Sequence, residues 1–411
     1  MASVTAIQTN IEDDGAAVTP EVACLLSETK IGPRDGAGRT VVVAMSGGVD
    51  SAVTALIMRE RGYRVIGMNL RLFSPSDAEH RANPCCGIPA MDDARATCAL
   101  IGVPFYAVNM EVEFGEAVVN TFVAEYAAGR TPNPCLECNR HVKFRHLVHR
   151  ARLLGADCLA TGHYARIIHS EPGRGEPHRL LRAVDRRKDQ SYVLHTMNQD
   201  QLGFIRFPLG NLTKPEVRAL ARAFGLPVAE KAESQEICFV GKGSYADFVA
   251  KRRPDVTVSG EIVDPDGQVI GEHRGLVNHT IGQRRGIGIA RPQPLYVLSL
   301  DTARNRLMVG SREQATADRL TAEGVTLLDG SWPEMSFTCD AVVRYRGAPA
   351  PATITLGPAG SGEATIDFGE DAPIASPGQA VVFYQGDGVL GGGTIHAVVR
   401  REQPAAAAAG Q

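Results

Sequence analysis

The chain has 411 residues, 44% of them apolar and 22% charged. Its length implies two or three domains, and its composition excludes collagen-like, low-complexity and wholly disordered chains. Lys and Arg number 43 against 46 Asp and Glu, a formal net charge of -3, so no global basicity announces a nucleic-acid partner, and any such partner must be held by local patches.

No window of about 18 uninterrupted apolar residues predicts a membrane span. The first residues, MASVTAIQTNIEDDGAAVTPEVACLL, contain acids and lack a basic-then-apolar leader, which predicts a cytoplasmic protein. Nine cysteines, an odd number in a chain with no export signal, argue against a disulfide framework and for reduced thiols, some of them reactive or metal-binding.

Residues 1 to 38 lack sustained periodicity and read as an unstructured extension, as does the Ala-rich tail 401–411. From Thr40 the run VVVAM is short, continuous and β-branched, as a strand buried on both faces should be. The following SAVTALIMRERG has helical spacing and stops at Gly62. Strand and helix then alternate through RVIGMNLRLF, DDARATCALIG, PFYAVNM, FGEAVVNTFVAEYAAG and DCLATGHYA, which predicts a doubly wound parallel α/β sheet over residues 39–184. Residues 185–258 read as a mainly helical segment, in which Thr213 and Glu216 flank a proline in a capping-box pattern. Beyond, residues 259–400 break into short alternating runs separated by turn dipeptides, predicting one or two small β-barrels or sandwiches.

Ser46–Ser51, SGGVDS, falls at the junction of the first strand and helix, where backbone N–H groups and the helix dipole favour a phosphate. It lacks the Lys-Ser/Thr of a Walker A loop and the GxGxxG of a dinucleotide fold, which leaves a loop shaped for a pyrophosphate. SGGVDS resembles the signature of the PP-loop ATP pyrophosphatases, whose members split ATP to AMP and pyrophosphate while activating an oxygen as an adenylate. That resemblance implies an ATP site at Ala44, Met45, Ser46, Gly47, Gly48, Val49, Asp50 and Ser51, with Leu70 beside the adenine, Gly162 in ATGHYA, and Asp50 helping to hold magnesium. His163 is either a nucleotide contact or only a strand-end residue.

Two cysteines lie in polar loops that could meet such an adenylate: Cys138 in TPNPCLECNRHVKF and Cys238 in ESQEICFVG. With these blocks, and with KDQSYVL, GLVNHTIGQRRGIG and the closing GGGTI, the chain from Thr40 to Val399 resembles the tRNA-specific 2-thiouridylase family. The resemblance implies that Cys238 receives sulfur as a persulfide and that Cys138 is the nucleophile that closes a disulfide with it as sulfur is released to C2 of the wobble uridine. Arg140, Lys143 or a helix start near Asn139 would favour the Cys138 thiolate. It further implies that Asn133, Pro134 and Cys135, and Lys188, Asp189 and Gln190, lie against the target base, and that Arg344 and Tyr345 face the flipped nucleotide. Arg284, Arg285, Lys214, Arg218 and Arg222 are further candidates for phosphate contacts. The implied partners are glutamate, glutamine and lysine tRNAs, a cysteine desulfurase and its sulfur relay.

One departure from the family pattern keeps alternatives open. Where an acidic residue is common three positions before the nucleophile, this chain has Cys135. Cys135, Cys138 and Cys238 could instead hold three irons of a 4Fe–4S cluster, and Cys135 and Cys138 with Cys85 and Cys86 could hold zinc. An amidating synthetase on the same scaffold would need no paired thiols, and an RNA-binding module without catalysis would leave SGGVDS unused.

Overall fold

In the computed structural model the described residues are 19–73, 87–171, 173, 175–233, 237–240, 243–331, 336–369 and 371–400. They fall into two compact units, one formed by the described residues up to 117 and from 137 to 240, the other by 118–136 and the described residues from 243 on.

The first unit is built on a parallel sheet of β1 (Thr40–Ala44), β2 (Arg64–Arg71), β3 (Phe105–Asn109), β4 (Cys158–Ala160) and β7 (Ile205–Arg206), in the order β3-β2-β1-β4-β7. β5 (Ala165–Ile168) and β6 (Arg179–Arg182) form an antiparallel pair beside it. β1 is central and its middle is a run of valines because it is covered on both faces: Val41, Val42 and Val43 are buried. Its neighbours are Arg64–Met68 of β2 and Cys158–Ala160 of β4, in parallel register. The helix Val49–Glu60 follows the loop after β1 and is buried at Val49 and at every position from Ser51 to Met58. The doubly wound α/β reading is therefore correct for this unit.

Residues 19–38 correct the expectation of an unstructured extension. Pro20–Leu25 and Glu28–Ile31 are helical, Thr19 Oγ1 accepts the Val22 N–H at 3.3 Å, and Val22, Leu25, Leu26 and Ile31 are buried in the same core as β1. The signal was present as Thr-Pro followed by apolar residues at helical spacing. Residues 1–18 and 401–411 lie outside the described residues, as do Cys85 and Cys86 of the zinc alternative.

The stretch 185–258 is not a body of its own. Up to residue 240 it belongs to the first unit: the helix Lys214–Ala223 packs on Val49–Glu60, and its Val217, Leu220 and Ala221 join the core that contains β1 and that helix. Glu216 accepts both the Thr213 N–H (2.6 Å) and its hydroxyl (2.9 Å), which closes the predicted cap.

The second unit contains two β structures. β8 (Gly260–Val263), β9 (Val269–His273), β10 (Tyr296–Asp301) and β11 (Arg306–Gly310) form a sheet in the order β10-β11-β8-β9 around Ile262, Val297, Leu307 and Val309. β12 (Arg319–Leu327), β13 (Ser336–Val342), β14 (Ala350–Leu356), β15 (Ala364–Phe368), β16 (Ala380–Gln385) and β17 (Gly388–Val399) run β12-β15-β14-β13-β16-β17, and β12 also pairs with β17. That pairing closes a six-stranded antiparallel barrel with no free edge.

Candidate active site

The phosphate-type loop is built as its composition predicts. Gly47 has φ +74°, and a Cβ there would stand 1.9 Å from the Ala90 carbonyl oxygen, so only glycine fits. Ser51 closes the turn: its Oγ donates to the Gly48 carbonyl at 2.9 Å and accepts the Ser46 N–H at 3.2 Å. Gly162 approaches the start of the following helix so closely that a Cβ would lie 3.0 Å from the Ser51 nitrogen. Met45 is anchored by its N–H to Met68 O (2.8 Å) and by Asn69 Nδ2 donating to its carbonyl (2.6 Å). Leu70 is half-buried at the end of β2. Ala44 ends β1 before the loop, and Val49 and Asp50 begin the helix after it.

Asp50 is the centre of a charged network that the sequence did not reveal. Its Oδ1 accepts Tyr164 Oη at 2.8 Å and Lys214 Nζ at 2.6 Å. Lys214 Nζ is also 3.1 Å from Glu233 Oε1, and Lys188 pairs with the other Glu233 oxygen. Burial opposes ionisation of Glu233, yet hydrogen bonds and charge from Lys188 and Lys214 hold its carboxyl below the ordinary value of 4.5. Burial, reinforced by the Asp50 charge, pushes the Tyr164 phenol up, so it stays protonated and donates. A second cation, Lys231, reaches the loop itself, donating from Nζ to Gly47 O at 2.9 Å and to Asp93 at 2.6 Å.

Two sets of residues assigned to tRNA by sequence also make contacts inside the unit. Lys214 is only 7% exposed, and Arg218 donates to the carbonyls of Ala229 (2.6 Å) and Lys231 (3.0 Å), so neither stands free for a phosphate backbone. Arg222 is exposed but paired with Glu230 at 2.6 Å. Asp189 accepts the Ala183 N–H (2.9 Å) and the Ser191 hydroxyl (2.8 Å). Gln190 accepts the Tyr164 N–H at 3.0 Å and donates its own N–H to Tyr164 O at 2.9 Å. The Lys-Asp-Gln segment is thus tied to Asp50 along two routes, through Tyr164 and through Glu233 and Lys214.

Cys138 is buried and opens a π-helical stretch, Cys138–Leu147, that continues as the helix Val148–Leu153. Its neighbour Asn139 donates Nδ2 to Val193 O at 3.1 Å, which fastens the thiol-bearing turn to the short helix after Gln190. Phe114 packs edge-on at 5.8 Å against Phe239, the residue after Cys238, and the helix Glu111–Phe114 also packs on the Cys138 stretch. The segments carrying Cys138 and Cys238 therefore meet the same short helix, and both cysteines stand as thiols. Burial pushes Cys98 up to about 11 and Cys339 up to about 12, and also raises Cys158, so these three remain protonated at neutral pH. His163 packs between Phe144 and Phe207 with Nδ1 2.7 Å from the Thr161 hydroxyl. Burial, with Lys143 nearby, takes it down to about 3, so it is neutral at pH 7.

In the second unit Asn133 caps a short helix by accepting the Cys135 N–H at 3.2 Å, Pro134 takes its first position, and the Cys135 side chain is exposed. Arg344 and Tyr345 are exposed after β13. The Arg346 guanidinium lies 5.3 Å from the centre of the Tyr345 ring. Arg284 and Arg285 are exposed in a glycine-rich loop. Among the described residues no group of three or more His, Cys, Asp or Glu side chains comes together to hold a metal.

Comparison with known families divides the chain into three. Residues 39–242 match a model described as the tRNA methyl transferase HUP domain, 246–311 its PRC-barrel domain, and 317–395 an aminomethyltransferase beta-barrel domain. Among curated proteins, the chain is 47% identical over 369 residues to the tRNA-specific 2-thiouridylase MnmA of Roseiflexus sp., covering 86% of this chain and 98% of that protein. It is 48% identical over 368 residues to the namesake of Geobacter metallireducens, covering 88% and 98%. For that of Rhodopseudomonas palustris the figures are 46% over 385 residues, 90% and 96%.

Proposed function

The chain belongs to the tRNA-specific 2-thiouridylase family, and from that premise we propose that it is an ATP-dependent tRNA sulfurtransferase in which Cys238 carries the sulfur and Cys138 releases it. The observation that carries this reading is the joining, within one unit, of an SGGVDS loop with an acid network at Asp50 to two thiol-bearing segments that meet the helix Glu111–Phe114.

In the first step the C2 oxygen of a tRNA uridine attacks the α-phosphorus of ATP and pyrophosphate leaves. The loop N–H groups and the helix Val49–Glu60 favour the phosphates. Asp50, a hard oxygen donor, fits magnesium, which would neutralise triphosphate charge. Lys214 and Tyr164 hold the Asp50 carboxylate in place.

In the second step the outer sulfur of a Cys238 persulfide attacks C2. The Cys138 thiolate then attacks the Cys238 Sγ, the persulfide S–S bond breaks, AMP leaves, and a Cys138–Cys238 disulfide remains. Sulfur stays on the base, and a thiol reductant returns both cysteines to the reduced state. Arg344 and Tyr345 would stack on the extruded nucleotide. A cysteine desulfurase with its relay would load Cys238, and glutamate, glutamine and lysine tRNAs are the proposed substrates, in the cytoplasm. Among the described residues no helix is long and apolar enough to cross a membrane.

The test is single-turnover thiolation by enzyme preloaded with persulfide. Cys138→Ser should stop at a covalent persulfide adduct and Cys238→Ser should form no 2-thiouridine while still releasing pyrophosphate; full thiolation by either variant would remove that cysteine from the scheme.

A further inference from the structure

The helical stretch from Cys138 to residue 153 carries five Lys or Arg residues (Arg140, Lys143, Arg145, Arg150, Arg152) and three histidines (His141, His146, His149) in a chain whose net charge is -3. Its buried side is Cys138, Asn139, Val142, Phe144, Leu147, Val148 and Ala151, which turns Arg140, Arg145 and His149 to solvent with Arg150 half-buried beside them. Arg152 is already used: it pairs with Asp200 at 2.7 Å and lies 4.8 Å over the Phe204 ring. His141 is 3.2 Å from Glu137. By contrast, Arg140, Arg145 and Arg150 have no carboxylate partner among the described residues. The local field is felt by His146, whose pKa is lowered first by burial and then by Arg145, Arg150 and His149, against the opposing charge of Glu113.

We propose that this face, carried by Arg140, Arg145, His149 and Arg150, is a docking surface for the phosphodiester backbone of tRNA. It holds the nucleotides next to the one that reaches Cys138. The inference rests on the sulfur-transfer reading for its choice of polyanion. Unneutralised arginines are held side by side at little entropic cost on a rigid helix, and a row of phosphates is the partner that satisfies them together. The geometry sets the scale: at about 1.5 Å per residue, Arg145 and Arg150 lie within roughly 20 Å of the thiol along the helix, the reach of a few nucleotides. Such contacts position the strand without reading its sequence.

The test is the salt dependence of tRNA binding to the full chain, measured by fluorescence anisotropy from 50 to 200 mM KCl. Arg145→Gln and Arg150→Gln should each lower the slope of log K against log salt by about 0.7 to 0.9 and weaken binding several-fold at low salt, equally for different tRNAs, and the pair should add. Arg304→Gln, at an exposed arginine paired with Asp301 at 3.1 Å, should leave the slope unchanged. Circular dichroism of each variant separates misfolding from lost contact. If the folded double variant keeps the wild-type slope, the surface does not bind RNA and the proposal is overturned; the same holds if only sulfur loading by a protein donor suffers, since the face would then dock a protein. Failure of the wild-type enzyme to thiolate any tRNA would instead overturn the reading on which the proposal rests.

Discussion

Replacing Lys214 by Met keeps most of the side chain's length and removes the cation that Asp50 and Glu233 share. The lysine side chain is 9% exposed, against 34% for Asp50 and 25% for Glu233. Removing one partner of a fully buried ion pair costs about 3–5 kcal/mol, because the other charge is left uncompensated. Here water reaches both acids, so a loss of about 2–3 kcal/mol follows, confined to the contacts between the loop helix and the helix Lys214–Ala223. Hydrogen exchange read by mass spectrometry should show amides of these helices opening about 30- to 150-fold faster at pH 7.5, at roughly 1.4 kcal/mol per decade. The sign with pH is fixed by Glu233, whose carboxyl is held low. Its contribution is present above the ordinary carboxylate range and is lost as pH falls through the folded value, so wild type and variant should converge on acidification. Lys214→Arg should recover part of the protection. Exchange unchanged at pH 7.5, or a gap that widens in acid, would refute the assignment of Lys214 as the shared counter-ion.

Gly47→Ala should weaken ATP binding more than tenfold by calorimetry, since its Cβ would meet the Ala90 carbonyl oxygen at 1.9 Å and φ is +74°. Gly48→Ala, with φ -101° and only Ser46 Oγ at 3.7 Å, should be tolerated. Cys135→Ala should leave thiolation within a few-fold of wild type under the persulfide route, measured by nucleoside mass spectrometry; complete loss would favour an essential cluster. His195 is 1% exposed, donates from Nδ1 to Tyr192 O at 2.8 Å, and is lowered to about 4 by burial, partly offset by that hydrogen bond. Between pH 6.5 and about 4 the unfolded chain therefore binds the extra proton, and stability falls by up to about 1.4 kcal/mol per pH unit as pH drops. His195→Gln should flatten acid unfolding in that window when followed by circular dichroism.

The sequence made the strand-loop-helix junction legible because each piece has a local cause: a β-branched run, a glycine that must take positive φ, a hydroxyl that closes the turn. The Thr213–Glu216 cap was legible for the same reason. Lys214 was not, since a lysine in a first helical turn ordinarily faces water, and its partner Asp50 lies 164 residues away. Nor did the sequence give any local sign that Asp189 and Gln190 hydrogen-bond Ala183, Ser191 and Tyr164. The Cys135-x-x-Cys138 spacing read equally as metal site or nucleophile, and burial separates the two thiols where spacing could not: Cys135 is exposed and Cys138 is buried. Residues 19–38 were underestimated because two helices this short have little propensity signal; they fold by burying Val22, Leu25, Leu26 and Ile31.

The most direct measurement is anaerobic incubation of unmodified glutamate tRNA with ATP and enzyme carrying an isotopically labelled Cys238 persulfide, with nucleosides, AMP and the cysteine peptides followed together by mass spectrometry. The account predicts labelled 2-thiouridine, one AMP per thiolated uridine, and a Cys138–Cys238 disulfide appearing in step. Labelled 2-thiouridine formed by Cys238→Ser enzyme, or 2-thiouridine formed without AMP, would contradict it.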